Sequence, residues 1–576
     1  MKLNKNDRFI VFAAVLGVVS VIFENSLLSG PFVRVFGHVL DFVLLGIMLF
    51  EFYMLRQSFG DAMSFWKRYW GMFIFLLTFV CLFVYVKFHV FFIPQESIFD
   101  QRSWFPVVLS FYFVTRIFMR IKRLNEIFSR AVIHPSQTFI LSFMALIIFG
   151  TVLLMFPLSC AGEKIGFIDA LFTSVSAVCV TGLVVVDTPT AFSMFGKCVI
   201  LFLIQAGGLG IMLFSSLAAF AFGKRLSYRD RMAVSYALNE KDLDNISSVV
   251  KKVFAITFAI ELAGMLCLYF FMRSKTDSAL EAWFFSLFHS VSAFCNAGFA
   301  LFSDSLSGFR GCIGLNIVIA LLIIAGSLSF AVIADVYSQG KRVFVGRLLK
   351  RPVRHTVLNL NSRIVIFASL ILVISGTLFI YWFEHKHMMH LSLLQQYTAA
   401  FFQAVTLRTA GFNTIDISML SLPVYIMMML FMFIGGAAGS TAGGIKVNTL
   451  GVLYMYMRSM VLGQDTVTYR RNSVSQKTVN DALFVIVFAV SVIFFSILLL
   501  SITEGFSFVK IAFEAFSAFG TVGLSAGITP YLTIPGKLII IVLMFMGRMG
   551  PLSIVFALSR KNKSYPVAYP EAKIIV

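Results

Sequence analysis

Of 576 residues, 59% are hydrophobic and only 13% are charged, a usage far from that of soluble proteins that leaves no large soluble domain. The net charge of +20 would fit a nucleic-acid partner, but no aromatic-basic binding motif accompanies it, and the basic residues fall between apolar runs. What remains is an all-α polytopic membrane protein, since runs of about 18 or more apolar residues, enough to cross a hydrocarbon core of ~30 Å, recur along the chain.

The first run, RFIVFAAVLGVVSVIFE from Arg8 to Glu24, precedes no small-residue cleavage site and reads as a retained helix rather than a signal peptide. Three more follow, so four runs lie near 8–28, 33–55, 68–93 and 104–121, an even number that returns the chain to its starting side. Residues 1–130 are therefore expected to form an N-terminal four-helix transmembrane module. The fourth run carries Arg116, Arg120 and Arg123 on one helical face, and the second carries Asp41 and Glu51. A basic stripe facing membrane carboxylates resembles the voltage-sensor module of voltage-gated channels, which implies Arg116, Arg120 and Arg123 as sensor residues and Glu51 as their inner countercharge. Against it, the third run lacks the acidic residue of such modules, and Met48 stands where they carry an aromatic plug. Basic residues also end helices at a cytoplasmic surface without sensing anything.

Beyond this module, basic residues cluster in alternate polar segments: 120–130, 224–231, 341–354, 469–477 and 560–563. The segments between them, such as SCAGEKIG, RSKTDSALE, FEHKHMMH and SITEG, are less basic. Under the positive-inside rule the five basic segments and both termini are expected in the cytoplasm. The seven cysteines show no CxxC spacing and mostly sit in apolar runs, as inert buried thiols do.

Four short stretches repeat: FTSVSAVCVTGL ending at Leu183, FHSVSAFCNAGF at Phe299, FQAVTLRTAGF at Phe412 and FEAFSAFGTVGL at Leu524. Their glycines, Gly182, Gly298, Gly411 and Gly523, are spaced by 116, 113 and 112 residues. Each sits in the same context: a spanning run, a polar outer segment, a semi-apolar helix of about ten residues, the glycine stretch and another long apolar run. A helix so short cannot cross the bilayer and must re-enter from the outer side. Irregular backbone at that depth is tolerated only where it packs in protein or lines a water-filled path, so four such loops can surround one pore.

A dehydrated cation needs carbonyl oxygens in place of its water shell, and glycine lets successive carbonyls turn toward an axis. The candidate filter residues are Val180, Thr181 and Gly182; Asn296, Ala297 and Gly298; Thr409, Ala410 and Gly411; and Thr521, Val522 and Gly523. A single glycine also marks close helix packing in membranes. Four in one repeated context favour the filter.

These loops, together with GGAAGSTAGGIK in the third repeat and GRMGP in the fourth, resemble the Trk/Ktr/HKT superfamily of potassium and cation transporters, nearest the potassium-translocating subunit of its Ktr branch. The resemblance runs from about Ser136 to the C-terminus. It implies four M1-P-M2 pore repeats in pseudo-fourfold arrangement, expected over 131–230, 231–345, 346–470 and 471–576. It further implies potassium as the transported ion, sodium as a candidate coupling ion, no organic cofactor and no enzymatic activity. A homodimer in the bacterial inner membrane, among membrane lipids, is implied too, pressed by a cytosolic ring of nucleotide-binding subunits of the KtrA/TrkA kind. Sodium-preferring members tend to carry serine at the first filter glycine, whereas this chain has glycine in all four.

The third M2 segment, from Leu422 to about Val461, is too long for one straight span, and the run FIGGAAGSTAGGIKV breaks it near mid-membrane. By similarity to the family, Gly435, Gly436, Gly439, Ser440, Thr441, Gly443, Gly444 and Lys446 form an intramembrane gating loop, with Arg548 the pore arginine beside it. An arginine inside an apolar helix costs about 2.5 kcal/mol or more, so a functional or paired role is the default. A nucleotide-binding P-loop is the rival for the glycine run. It fails because Ile445 separates Gly444 from Lys446, Val447 replaces the required Ser or Thr, and no strand precedes it. Two other function classes follow from the sequence: a voltage- or partner-gated monovalent cation channel with sodium permeability, and a non-transporting membrane scaffold.

Overall fold

The computed structural model describes residues 135–210, 246–348, 358–385, 391–464, 466–469 and 472–558, with 213, 216, 232 and 389 besides. The N-terminal runs, including Glu51, Arg116, Arg120 and Arg123, lie outside the described residues.

The described chain is helical apart from one two-stranded ribbon. In order it runs α1 (Pro135–Leu154), α2 (Phe167–Val178), α3 (Thr188–Ala191), α4 (Met194–Leu209), α5 (Ile246–Met272), α6 (Ala279–Phe294), α7 (Ile313–Ser327), α8 (Phe330–Leu348), α9 (Leu360–Glu384), α10 (Leu393–Thr406), α11 (Leu422–Phe433) and α12 (Val447–Val461). After the antiparallel strands β1 (Thr468–Tyr469) and β2 (Asn472–Ser473) come α13 (Gln476–Thr503), α14 (Phe508–Gly520), α15 (Ile534–Met549) and α16 (Pro551–Leu558).

Four copies of one unit are visible. A first helix (α1, α5, α9, α13) descends, a pore helix (α2, α6, α10, α14) packs on it, a glycine strand follows, and a second helix completes the unit. At 27, 25 and 28 residues, α5, α9 and α13 reach about 40 Å, enough to cross a membrane obliquely. The pore helices have only 12, 16, 14 and 13 residues, or roughly 18–24 Å, and stop inside the protein. Serine precedes three of them and caps two through its side chain: Ser278 Oγ accepts the Glu281 amide at 3.1 Å, and Ser392 forms a capping box with Gln395.

The same phenylalanine of the repeated motif anchors each pore helix: Phe172, Phe288, Phe402 and Phe513 are all fully buried. Such side chains each contribute roughly 2–3 kcal/mol of apolar burial. Exposed apolar side chains such as Phe270, Trp382 and Ile502 lie on the outer helices, as a lipid-facing surface requires.

The second helices of the first, second and fourth repeats differ from the long uninterrupted runs the sequence implies, whereas the third breaks where the glycine run predicts. With 16, 15, 12 and 16 residues, α4, α7, α11 and α15 all stop short of a full span. Single glycines with positive φ, Gly210 and Gly550, end α4 and α15, and α8 leaves α7 at 106°. Hydropathy alone misses these breaks because one or two residues interrupt otherwise continuous apolar sequence.

Candidate functional site

Each glycine strand begins where its pore helix ends. Val180, Asn296, Thr409 and Thr521 all have left-handed backbones, with φ of 58°, 61°, 67° and 51°. Three of the four are β-branched, for which this region is strained, so the surrounding structure enforces the conformation. Two residues later Gly182, Gly298, Gly411 and Gly523 return to positive φ, at 90°, 71°, 78° and 91°. The strand amides turn backwards: Thr181 N–H donates to Ser176 O at 2.8 Å, Ala297 to Ser292 O at 2.7 Å, Ala410 to Thr406 O at 2.9 Å and Val522 to Ser517 O at 2.9 Å. Two glycine amides donate to side chains of the same helices, Gly182 to Ser176 Oγ at 3.0 Å and Gly523 to Ser517 Oγ at 3.2 Å. Donors are thus consumed behind the strand.

The four strands close on one another in chain order. A Cβ on Gly298 would stand 2.7 Å from Ala410 O and 2.9 Å from Gly411 Cα, and one on Gly411 would stand 2.5 Å from Val522 O. On Gly182 it would meet Ala297 O and approach Gly298 Cα to 3.0 Å, and on Gly523 it would meet Thr181 O and approach Gly182 Cα to 3.1 Å. Each glycine therefore packs against the residue preceding the next repeat's glycine, and the fourth packs against the first. All twelve sequence-derived filter residues meet in this ring, and all are buried except Gly523, which is partly exposed. The pore helices end at it, so the negative ends of four helix dipoles border the strands.

Beneath the ring lies the break in the third repeat. Residues 434–446 are non-helical, and a parallel bridge joins Ile434 to Ile445 at their ends. The Gly435 amide donates to Ile445 O at 2.8 Å and the Val447 amide to Gly436 O at 3.0 Å, so the segment is a loop with a closed neck. Thr441 Oγ1 bonds Gly326 O at 2.9 Å and Phe294 O at 3.2 Å, tying the loop to α7 and to the end of α6. A Cβ on Gly443 would collide with the Thr521 side chain, which places the loop directly under the fourth strand. Lys446 caps α12 and turns its Nζ back to Ala442 O at 2.6 Å.

Arg548, in the last turn of α15, joins two elements. Its Nη1 donates to Thr441 O, and its Nη2 donates to Gly207 O at 2.5 Å and Gly208 O at 3.1 Å at the end of α4. The gate residues named from sequence are thereby assembled at one place.

Sequence reasoning missed a second set of glycines. A Cβ on Gly207, Gly326 or Gly547 would strike the carbonyl of Val178, Phe294 or Phe519, so only glycine lets these second helices touch the pore-helix ends. They lie 25, 28 and 24 residues after the filter glycines, an uneven spacing that hides them from a search for repeats.

Four re-entrant pore helices with glycine strands around one axis define the class: a pore-loop membrane transport protein. Residues 105–565 match the family model of the TrkH cation transport proteins, and the chain belongs to that family. The match begins upstream of Ser136 and takes in Arg116, Arg120 and Arg123, so these arginines are not outside the family region as the sequence resemblance drew it.

The chain is 40% identical over 442 residues to the Ktr system potassium uptake protein B of Bacillus subtilis, covering 76% of this chain and 96% of that one. It is 37% identical to the protein of the same name from Vibrio alginolyticus, covering 76% and 93%. To the potassium/sodium uptake protein NtpJ of Enterococcus hirae it is 36% identical, covering 77% and 97%. Among solved structures, the potassium transporter TrkH from Vibrio parahaemolyticus shares the fold, with a TM-score of 0.59 and 20% identity over 84% of this chain and 97% of that one.

Proposed function

We propose that this chain takes up potassium through the axis of the four glycine strands, as the translocating subunit of a Ktr-like system. The observation that carries the reading is the closed ring of Gly182, Gly298, Gly411 and Gly523, whose strand amides are turned back onto the pore helices. Backbone carbonyls of residues 180–182, 296–298, 409–411 and 521–523 are left to replace the water shell of a cation. The pore-helix C-termini add favourable potential without a fixed anion that would hold the ion. The names of the relatives supply potassium as cargo, and that of the Enterococcus protein makes sodium a candidate second cargo or coupling ion.

The loop 434–446 is then the barrier. It lies under the fourth strand, and it is held by Thr441 and by Arg548, whose fixed charge opposes a passing cation. Opening requires the loop to leave these contacts while its bridged neck keeps it in one piece. In this reading the basic cytoplasmic segments receive a separate nucleotide-binding ring, the chain works as a dimer in the bacterial inner membrane, and both termini are cytoplasmic.

The test is growth of a potassium-uptake-deficient bacterium at low potassium, with the chain expressed alone and with a cytosolic partner. Rescue, stronger with the partner, is the expected outcome. No rescue in either case despite good membrane expression contradicts the proposal.

A further inference from the structure

Glu261 lies within the spanning helix α5, is 3% exposed and has no Lys, Arg or His within ion-pair distance among the described residues. Gln205 on α4 donates from Nε2 to Glu261 Oε2 at 3.2 Å. Cys295, the residue before the second filter strand, directs its thiol to Gln205 Oε1 at 3.6 Å and to Glu261 Oε1 at 4.0 Å. The approach is close because α4 has a glycine there: a Cβ on Gly208 would stand 2.7 Å from Cys295 Sγ.

At the positions that match Glu261 in the first and third repeats and Gln205 in the second and fourth, the side chains are apolar. Gly150, Gly264 and Gly376 each face their own pore helix, at Ser174, Ser290 and Ala404, and three residues before them stand Ile147, Glu261 and Val373. Two residues before the contact glycines Gly207, Gly326 and Gly547 stand Gln205, Ile324 and Phe545. The polar pair thus occurs at the junction of the first two repeats, where the counterparts are apolar. An intramembrane carboxylate is costly and marks function by default.

We propose that Glu261 and Gln205 are positioning residues that brace Cys295 by hydrogen bonding and so fix the second strand, Asn296 to Gly298, setting cation discrimination at the ring. This rests on the reading of the four strands as a cation filter. The experiment is uptake by the purified full chain in liposomes, with KM and maximal rate measured separately for potassium and sodium in the native protein, Glu261→Gln and Glu261→Ile.

Glutamine keeps the hydrogen-bonding end, so its ratio of the two KM values stays within about twofold of native. Isoleucine, the residue at the first repeat's equivalent position, shifts the ratio by about tenfold with a smaller change in maximal rate, as loss of one buried hydrogen bond predicts. Should Glu261→Ile fail to fold, Gln205→Leu is expected to give the same shift. An unchanged ratio in the apolar variant overturns the proposal. So does a glutamine variant as impaired as isoleucine, because charge rather than bracing would then be at work. The ratio is read whichever cation the native chain prefers, so a native preference for sodium counts against the potassium reading and leaves this test intact.

Discussion

Arg548 shows how much rests on single side chains in this pathway. Its guanidinium donates to carbonyls of Thr441, Gly207 and Gly208, and hydrogen bonds from a charged donor are each worth about 1.5–3 kcal/mol. Arg548→Gln keeps polarity but loses both the charge and the reach. Cation flux into liposomes without any cytosolic subunit should rise about tenfold, and flux at the native level would remove Arg548 from the barrier. The arginine was legible in the sequence because a lone charge in an apolar helix is conspicuous. The left-handed backbones of Val180, Asn296, Thr409 and Thr521 were not, since they occupy equivalent places with three residue types, none of them glycine.

Among the elements, the loop 434–446 is the proposed barrier, and on that proposal its stability sets the resting state. Thr441 holds it with a bifurcated bond to Phe294 O and Gly326 O, worth ~1–2 kcal/mol in all. Thr441→Ala is expected to raise the maximal uptake rate about fivefold while leaving KM unchanged, because the filter strands are untouched. A changed KM with an unchanged rate would show that the contact serves the filter instead. The ion pair between Lys537 on α15 and Asp169 on α2, at 2.7 Å, links the fourth repeat to the first, but both side chains are partly open to solvent. Lys537→Ala should cost less than about 1 kcal/mol and barely move the melting temperature in detergent. The third break was readable from five glycines in one run. The ends of α4 and α15 were not, because a single glycine, Gly210 or Gly550, suffices to turn the chain.

For the molecule as a whole, the repeat of about 113 residues made the fourfold plan legible before any coordinates, since each copy carries its own Phe anchor and filter glycine. What periodicity could not show is that the copies close in chain order, each glycine against the next strand and the last against the first. Closure makes the four glycines one structural unit, and a side chain at any of them must both adopt positive φ and displace a neighbouring strand. The most direct measurement is potassium uptake kinetics for the series Gly182→Ser, Gly298→Ser, Gly411→Ser and Gly523→Ser, each checked for membrane expression. All four should raise the potassium KM relative to that for sodium by about tenfold or more. A variant in the series that is expressed and keeps native kinetics would contradict a single ring-shaped pathway.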